Sequence, residues 1–272
     1  MSSTRLVISN ELLEALKQLH QAAIVFEKEH TTDGLYDKLL QKPLREQRDN
    51  TRIDFVEDFV INLTHIKIAK NEVEEKPDKI KYQISNAGII TTPIYRLLIE
   101  VQLLRNAFTS DINLYTLFDN VHKELTQLKL QAEKLLLLEY KNQLISLINT
   151  LTLLENAALQ YKNQHQEDSL YKDALNQPLK QQIKSAEGLD FFNDLLENCR
   201  GLRSHQNDFD EKVENIDIQK ISVKELESPV SRLLVEVSLF KNAPKINASE
   251  QKVCEEAINS LDELAHLNQR LR

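Results

Sequence analysis

The stretch "PIYRLLIEVQLLRNA" at residues 93–107 decides the fold, because the chain contains it twice. It returns as "PVSRLLVEVSLFKNA" at residues 229–243, with nine of fifteen positions identical. Its apolar residues cover most of the circumference of the helix that it predicts, which is typical of a helix at the centre of a bundle. The recurrence indicates that a helical unit has been copied within the chain.

The match between the two halves extends beyond this segment. "AAIVFEKEHTTDGLYDKLLQKPL" at residues 22–44 aligns with "AALQYKNQHQEDSLYKDALNQPL" at residues 157–179. "DFVEDFVINL" at residues 54–63 aligns with "DFFNDLLENC" at residues 190–199. Because Pro, His, Tyr and Asn positions match as well as Leu, duplication explains the pattern better than a chance similarity of apolar helices.

The composition favours helix throughout. Leu, Lys, Glu, Gln and Asn are abundant, whereas the chain has only 4 Gly. A chain of 272 residues with 41% hydrophobic content can bury two cores of ordinary domain size. We therefore expect an all-α fold made by tandem duplication of a roughly five-helix bundle, about ten helices in all. The predicted repeat units are residues 1–136 and 137–272.

Apolar spacing and helix breakers predict the helices of each unit. In the first unit we expect helices over residues 9–30 and 52–75, with a short helix between them that Pro43 bends or restarts. Residues 78–91 are expected to be mainly loop. Thr92 should then cap the fourth helix, with the following Pro at its first position.

The second unit repeats this start signal with Ser228 and Pro229. The fifth helix of the first unit is predicted to begin near Asp111. No Gly or Pro occurs between Asp111 and His165, so this helix is expected to continue into the second unit. A bend near residues 135–141 is the alternative.

Charge and residue shortages exclude several classes of function. The net charge of −8 argues against nucleic acid or anionic lipid as a partner. The isolated glycines provide no phosphate-binding loop. No apolar run approaches the length of a membrane span, so we expect no membrane partner. Only Cys199 and Cys254 occur, without metal-ligand spacing, which favours a reducing, cytoplasmic compartment.

Two charged pairs recur at equivalent positions and are candidate interaction residues. Arg96 and Glu100 stand four residues apart on an otherwise apolar helix, and Arg232 and Glu236 repeat the pair. One interpretation is a polar strip that receives a partner's charge. The other is a structural ion pair, which the presence of the motif in both halves favours.

A basic run offers a third interaction candidate. Lys42, Arg45 and Arg48 could meet an acidic protein surface, although ordinary surface charge also explains them. The run has no interleaved aromatic residues of the kind on which single-stranded nucleic acid stacks.

Metal-ligand spacing occurs but is incomplete. Glu27 with His30 and Glu263 with His266 fit the Glu-x-x-His spacing of helical-bundle iron and manganese proteins. The second unit has Lys162 where the first has Glu27, which breaks the pattern. We expect no metal and no cofactor.

The segment "CRGLRSH" contains Arg200 and His205 in an Arg-x4-His spacing. It resembles the motif of the HEPN ribonucleases, all-helical domains in which such residues face each other across a dimer. The resemblance implies RNA cleavage by Arg200 and His205. The segment departs from the polar-residue-after-arginine pattern common in that family, and residues 64–69 of the first unit have nothing comparable.

These observations favour recognition of another macromolecule over catalysis. We expect a non-catalytic protein–protein interaction module, such as an adaptor, chaperone-like binder or inhibitor. It would grip a protein or peptide at the junction of the two duplicated bundles. The alternative is a HEPN-like or metal-dependent helical enzyme with its site at the same junction. The oligomeric state stays open.

Overall fold

The computed structural model describes residues 5–108, 112–183, 190–211 and 215–271. These ranges are all-helical and contain no strand, which confirms the predicted all-α class. Asp111, the predicted start of the fifth helix, lies outside them. The helices are α1 (Asn10–His30), α2 (Lys42–Arg48), α3 (Phe55–Glu75), α4 (Ile80–Ala107), α5 (Ile112–His165), α6 (Gln177–Gln182), α7 (Phe191–Glu211), α8 (Ile216–Glu225), α9 (Glu227–Lys241) and α10 (Ala248–Leu271).

The chain divides into two compact units, Met1–Leu136 and Leu137–Arg272. This boundary falls between the same two residues as the boundary drawn from the sequence repeats. It lies within α5, which is a single α-helix from Ile112 to His165. Each unit therefore has its own apolar core.

In the first unit, α1, α3 and α4 pack together around large apolar side chains. Leu16, Phe59, Ile66 and Leu97 are each 0% exposed. Full burial of a side chain of this size contributes about 1.5–3 kcal/mol relative to exposure. Because residues 76–79 form only a short connection, α3 and α4 run antiparallel as neighbours.

In the second unit, α9 packs against both α7 and α10. Leu195, Leu202, Leu233 and Leu261 are each 0% exposed. The core of this unit also contains both cysteines, which are free and buried.

Helix α1 begins where the sequence predicts. The Leu12 backbone N–H donates a hydrogen bond to Ser9 Oγ at 2.9 Å, so Ser9 caps the helix. A cap of this type contributes about 1 kcal/mol, because it satisfies a backbone donor that the first turn leaves unpaired. The same hydroxyl donates to Glu124, which ties the start of α1 to α5.

The predicted short helix before α3 is present and has an unusual first turn. Residues Asp37–Gln41 form a π-helical turn that leads into α2, with Pro43 in the first turn of α2. Residues Lys172–Asn176 form the same turn before α6 in the second unit.

The predicted loop over residues 78–91 is wrong, because α4 already begins at Ile80. Thr92 and Pro93 consequently lie inside this helix, not at its start. Gln83 and Ile90 are buried and lie on the core-facing side of α4, together with Ile94 and Leu97. This burial outweighs the cost of an internal proline, about 3 kcal/mol, and therefore keeps the helix continuous.

The second unit has two helices at the position where the first unit has the single helix α4. Helix α8 ends at Glu225, and α9 begins at Glu227 after Leu226. Ser228 is therefore inside the first turn and is not the predicted N-cap. Pro229 also lies in this first turn, where its missing N–H removes no helical hydrogen bond.

Helix α4 is, within the described ranges, the one helix whose length and composition would allow it to cross a membrane. Half of its most apolar window is buried inside the unit. The core helix of a water-soluble bundle passes the same test, so this is weak evidence for a span.

Candidate functional site

A buried polar cluster lies between α3 and α4 of the first unit. The Asn62 side-chain amide donates a hydrogen bond to the Glu100 carboxyl at 3.3 Å. Arg48 approaches Asp58 from α2 at 3.1 Å, and Arg96 approaches the same carboxylate from α4 at 3.7 Å. Glu100 is 0% exposed. The cluster is thus enclosed by the bundle.

The second unit contains a corresponding cluster between α7 and α9. The Asn198 amide donates to the Glu236 carboxyl at 3.1 Å and also to the Asp194 backbone carbonyl at 3.0 Å. Arg232 pairs with the Asp194 carboxylate. Glu236 is 0% exposed. Asn and Glu are 38 residues apart in sequence in both clusters.

The environment favours the protonated form of both buried glutamates. Burial raises the pKa of Glu100 well above its ordinary value, and the neighbouring Asp58 carboxylate raises it further. Burial and Asp194 together raise the pKa of Glu236 to about 10. A neutral Glu side chain can donate a hydrogen bond to the adjacent Asp. Because neither glutamate is exposed, these groups are suited to holding helices together and not to turning over a substrate.

The structure separates the predicted Arg–Glu pairs. Arg96 contacts Asp58 across the helix interface, and Arg232 contacts Asp194 in the same way. In both units the Glu of the motif hydrogen-bonds an Asn of the neighbouring helix. The structural interpretation of the motif therefore fits its position better than a partner-binding strip does.

The basic run also lacks a common surface. The Arg48 side chain is only 10% exposed, because it points to Asp58. Arg45 Nε donates to the Ile53 backbone carbonyl at 3.1 Å. Lys42 is exposed and lies 3.9 Å from Glu46.

The structure gives local roles to two predicted histidines. His30 Nδ1 lies 2.9 Å from Asp33 Oδ2, and this hydrogen bond lowers the pKa of Asp33. His205 Nε2 lies 3.1 Å from Glu225, and its Nδ1 lies 2.9 Å from the Gly201 carbonyl.

The other predicted catalytic and metal-ligand residues give no assembled centre. Arg200 is exposed, and the His205 ring contacts Gly201 and Glu225. Glu27, Glu263 and His266 join no cluster of three His, Cys, Asp or Glu that could hold a metal ion in the described ranges.

An exposed apolar patch, missed by the sequence reasoning, covers the outer side of α3 and α4. We define the α3–α4 patch as Ile61, Ile68 and Ile89, which are 49%, 49% and 50% exposed. Ile61 and Ile68 are two helical turns apart and share one face of α3. The antiparallel pairing places Ile89 of α4 at the level of Ile68.

The second unit has no such patch at the equivalent positions, taken 136 residues later. There the residues are Glu197, Ser204 and Glu225. The buried positions between them keep their character, for example Leu63 and Cys199 or Ile66 and Leu202. A position-by-position comparison of the two repeats could have found this difference, because these three solvent-facing positions change polarity while buried positions between them, such as those of Leu63 and Ile66, stay apolar.

Acidic residues flank the patch on α3. Glu57, Glu72 and Glu75 are exposed and recur at three- and four-residue steps from Ile61 and Ile68, so they lie on the same face. The patch is thus an apolar strip with a row of negative charge along it.

No protein-family model matches the chain, and no curated protein or solved structure is significantly similar to it. The assignment of function therefore rests on the geometry of the residues described above.

Proposed function

We propose that the chain is a tandem duplication of one roughly five-helix unit and acts as a non-catalytic protein–protein interaction module. The duplication is supported by contacts that recur at matched positions, such as the Asn62–Glu100 and Asn198–Glu236 hydrogen bonds. The matched π-helical turns before Pro43 and Pro178 give independent support. Such a module serves as an adaptor, chaperone-like binder or regulator of its partner.

The α3–α4 patch carries the proposal of binding. Three isoleucines are half-exposed in one unit, whereas the same scaffold has two glutamates and a serine in the other. The fold itself therefore does not require apolar residues at these positions. Covering the exposed half of each side chain would stabilise a complex by about 1 kcal/mol per isoleucine.

The partner proposed for this patch is an amphipathic helix with basic residues beside its apolar face. A helix laid along α3 would bury Ile61 and Ile68 at successive turns. The glutamates at positions 57, 72 and 75 would attract Lys or Arg of that helix and fix its direction. The site lies wholly within the first unit. The junction groove expected from the sequence stays a separate prediction.

Exchange of the patch for the second unit's own residues tests this proposal. The triple variant Ile61→Glu, Ile68→Ser, Ile89→Glu changes exposed side chains only, so we expect the helical content and melting temperature of the wild type. The wild-type chain should capture a partner from its native extract, and the variant should lose it. Leu153→Glu, an exposed substitution in the second unit, is the matched control and should retain it.

Synthetic peptides that each cover one helix of the captured partner are then tested for binding, in order to find the bound segment. A basic amphipathic helix supports the proposal. Retention of the partner by the triple variant would contradict it. If the wild-type chain forms a concentration-dependent dimer in sedimentation and the triple variant does not, the patch binds a second copy of the chain instead.

A further inference from the structure

The first unit shows how this scaffold binds a non-helical segment. Residues 5–9 lie across α4 and the first-unit part of α5. The Leu6 backbone N–H donates to Gln83 Oε1 at 3.0 Å, and the Val7 N–H donates to Gln131 Oε1 at 2.8 Å. Leu6 is only 4% exposed. Side-chain amides of two helices thus hold a segment through its backbone, as a peptide site does.

The second unit has an open cavity next to Gln219, the counterpart of Gln83. It has a volume of about 590 Å³ and is lined by Lys220, Ile221, Val223, Lys224, Glu227, Asn268 and Leu271. Gln219 directly precedes this set and is buried. The residues aligned with segment 5–9 are 140–144, which belong to α5 and are helical. The aligned residues therefore do not form an extended segment like residues 5–9.

The lining of the cavity differs in charge from its first-unit counterpart. The apolar side chains Val223 and Leu271 are both 3% exposed and align with apolar residues of the first unit, Ala87 and Leu135. Three polar side chains of the lining replace uncharged, non-polar residues of the first unit. They are Lys220 in place of Ile84, Lys224 in place of Gly88, and Asn268 in place of Ala132.

Asn268 is an unusual residue for a helix core. It is 4% exposed and lines the cavity, yet its Oδ1 makes no hydrogen bond within the described residues. The hydroxyl of the fully buried Tyr140 lies beside the Asn268 amide. Burial raises the pKa of Tyr140, and the nearby Asn268 amide lowers it in part. An unpaired buried polar atom is unfavourable, so a ligand that supplies a hydrogen-bond donor here would remove that cost.

We infer that this cavity is a receptor site for a short extended peptide segment of another protein. The segment would place an apolar side chain against Val223 and Leu271 and an acidic side chain beside Lys224. Lys220 and Lys224 are one helical turn apart on α8, which concentrates positive charge at one end of the site. Glu227 at the rim disfavours a second acidic residue there. The inference rests on the equivalence of the two units proposed above.

The test uses the full chain and a fluorescein-labelled pentapeptide, DLVIS. This probe is the 5–9 segment with aspartate in place of Arg5. We expect saturable binding by fluorescence anisotropy, with a Kd on the order of 0.1 mM for so small a ligand. The native-sequence peptide RLVIS should bind roughly tenfold more weakly, because it brings a positive charge to Lys224.

Three variants assign the binding to the cavity. Lys224→Glu is an exposed charge reversal and should weaken DLVIS binding by at least about tenfold. Asn268→Ala restores the first-unit residue and should weaken binding while the fold persists. Lys252→Glu, a reversal at an exposed position of α10 that does not line the cavity, should leave the Kd unchanged.

Two results would overturn the inference. One is the absence of saturable DLVIS binding at millimolar peptide, or an equal Kd in the Lys224→Glu variant. The other is self-association of the unliganded chain that Lys224→Glu strengthens, since the occupant would then be residues 5–9 of a second copy, whose Arg5 is attracted by the new carboxylate. Loss of the α3–α4 patch by the Ile61, Ile68 and Ile89 exchange should leave DLVIS binding intact, so failure of one proposal is distinguishable from failure of the other.

Discussion

The Asn198 side-chain amide donates a hydrogen bond to the Glu236 carboxyl over 3.1 Å, at a point where the carboxyl is fully buried. Asn62 makes the corresponding bond to Glu100 over 3.3 Å. Each bond joins two helices at the centre of a unit. Since a slip of one helical turn would leave both buried groups unpaired, the contact fixes the register of the two helices.

Stability should fall as pH rises because of Glu236. Its pKa is about 10 in the folded chain against an ordinary value of 4.5. The protonated group therefore stabilises the fold fully below pH 4.5, and this contribution is lost as the pH rises toward 10. The sign follows because the unfolded chain releases this proton at a lower pH than the folded chain does.

Glu236→Gln removes this dependence, because glutamine stays neutral and keeps a donor and an acceptor. We expect the variant to gain stability relative to wild type between pH 6 and pH 9, measured by urea unfolding followed by circular dichroism. Glu100→Gln should act in the same direction in the first unit. Parallel stability curves for wild type and Glu236→Gln would show that the carboxyl is not protonated in the fold.

Asp194 should be essential to the second unit. Asp194→Ala leaves Arg232 without its carboxylate partner and removes the acceptor beside Glu236. Because it removes a buried carboxylate and leaves the half-buried Arg232 without this partner, we expect a loss of about 2 kcal/mol in the free energy of unfolding. Asp262→Ala, an exposed aspartate on α10, is the control and should change it by less than about 0.5 kcal/mol. Equal effects of the two substitutions would refute a central role for the cluster.

The sequence predicted the helical class and some helix ends because apolar periodicity and helix breakers are local signals. Helix α1 ends at His30 and α3 ends at Glu75, as expected. The partner of Arg96 could not be found from spacing alone. A contact between neighbouring helices depends on their packing, and Asp58 is 38 residues away in sequence.

Pro93 and Pro229 should differ in their effect on stability. Pro93 lies inside α4 and cannot donate to the Ile89 carbonyl, whereas Pro229 lies in the first turn of α9. Pro93→Ala restores one hydrogen bond at the loss of some buried surface. We expect it to raise the free energy of unfolding by about 1 kcal/mol more than Pro229→Ala does. Thermal melting of the two variants checks which substitution stabilises the chain more. A larger increase in melting temperature for Pro229→Ala would contradict the prediction.

Both cysteine thiols should be inert in the folded chain. Cys199 and Cys254 are each 0% exposed, and burial raises the pKa of Cys254 to about 12. Because the thiolate is the reactive form, we expect no reaction with a disulfide reagent over minutes in buffer. Two equivalents should react once urea unfolds the chain. Rapid modification under native conditions would show that the core of the second unit opens readily.

The α3–α4 patch could not be recognised from apolar content, since α3 is amphipathic with or without it. Ile61 and Ile68 become informative only when they are compared with Glu197 and Ser204, their counterparts in the second unit. These counterparts show that the fold tolerates polar side chains at both positions. The cavity beside Asn268 was missed for a related reason. The cavity becomes noticeable only when residues 5–9, which pack across the first unit, are compared with the aligned residues 140–144, which are helical.

The most direct measurement is calorimetric titration of the mapped partner helix into three forms of the chain. The account predicts that the wild type and Leu153→Glu bind with the same Kd, and that the Ile61→Glu, Ile68→Ser, Ile89→Glu variant binds at least about a hundredfold more weakly, as expected for loss of about 3 kcal/mol. An unchanged Kd in a triple variant with wild-type helical content would contradict the proposed binding surface.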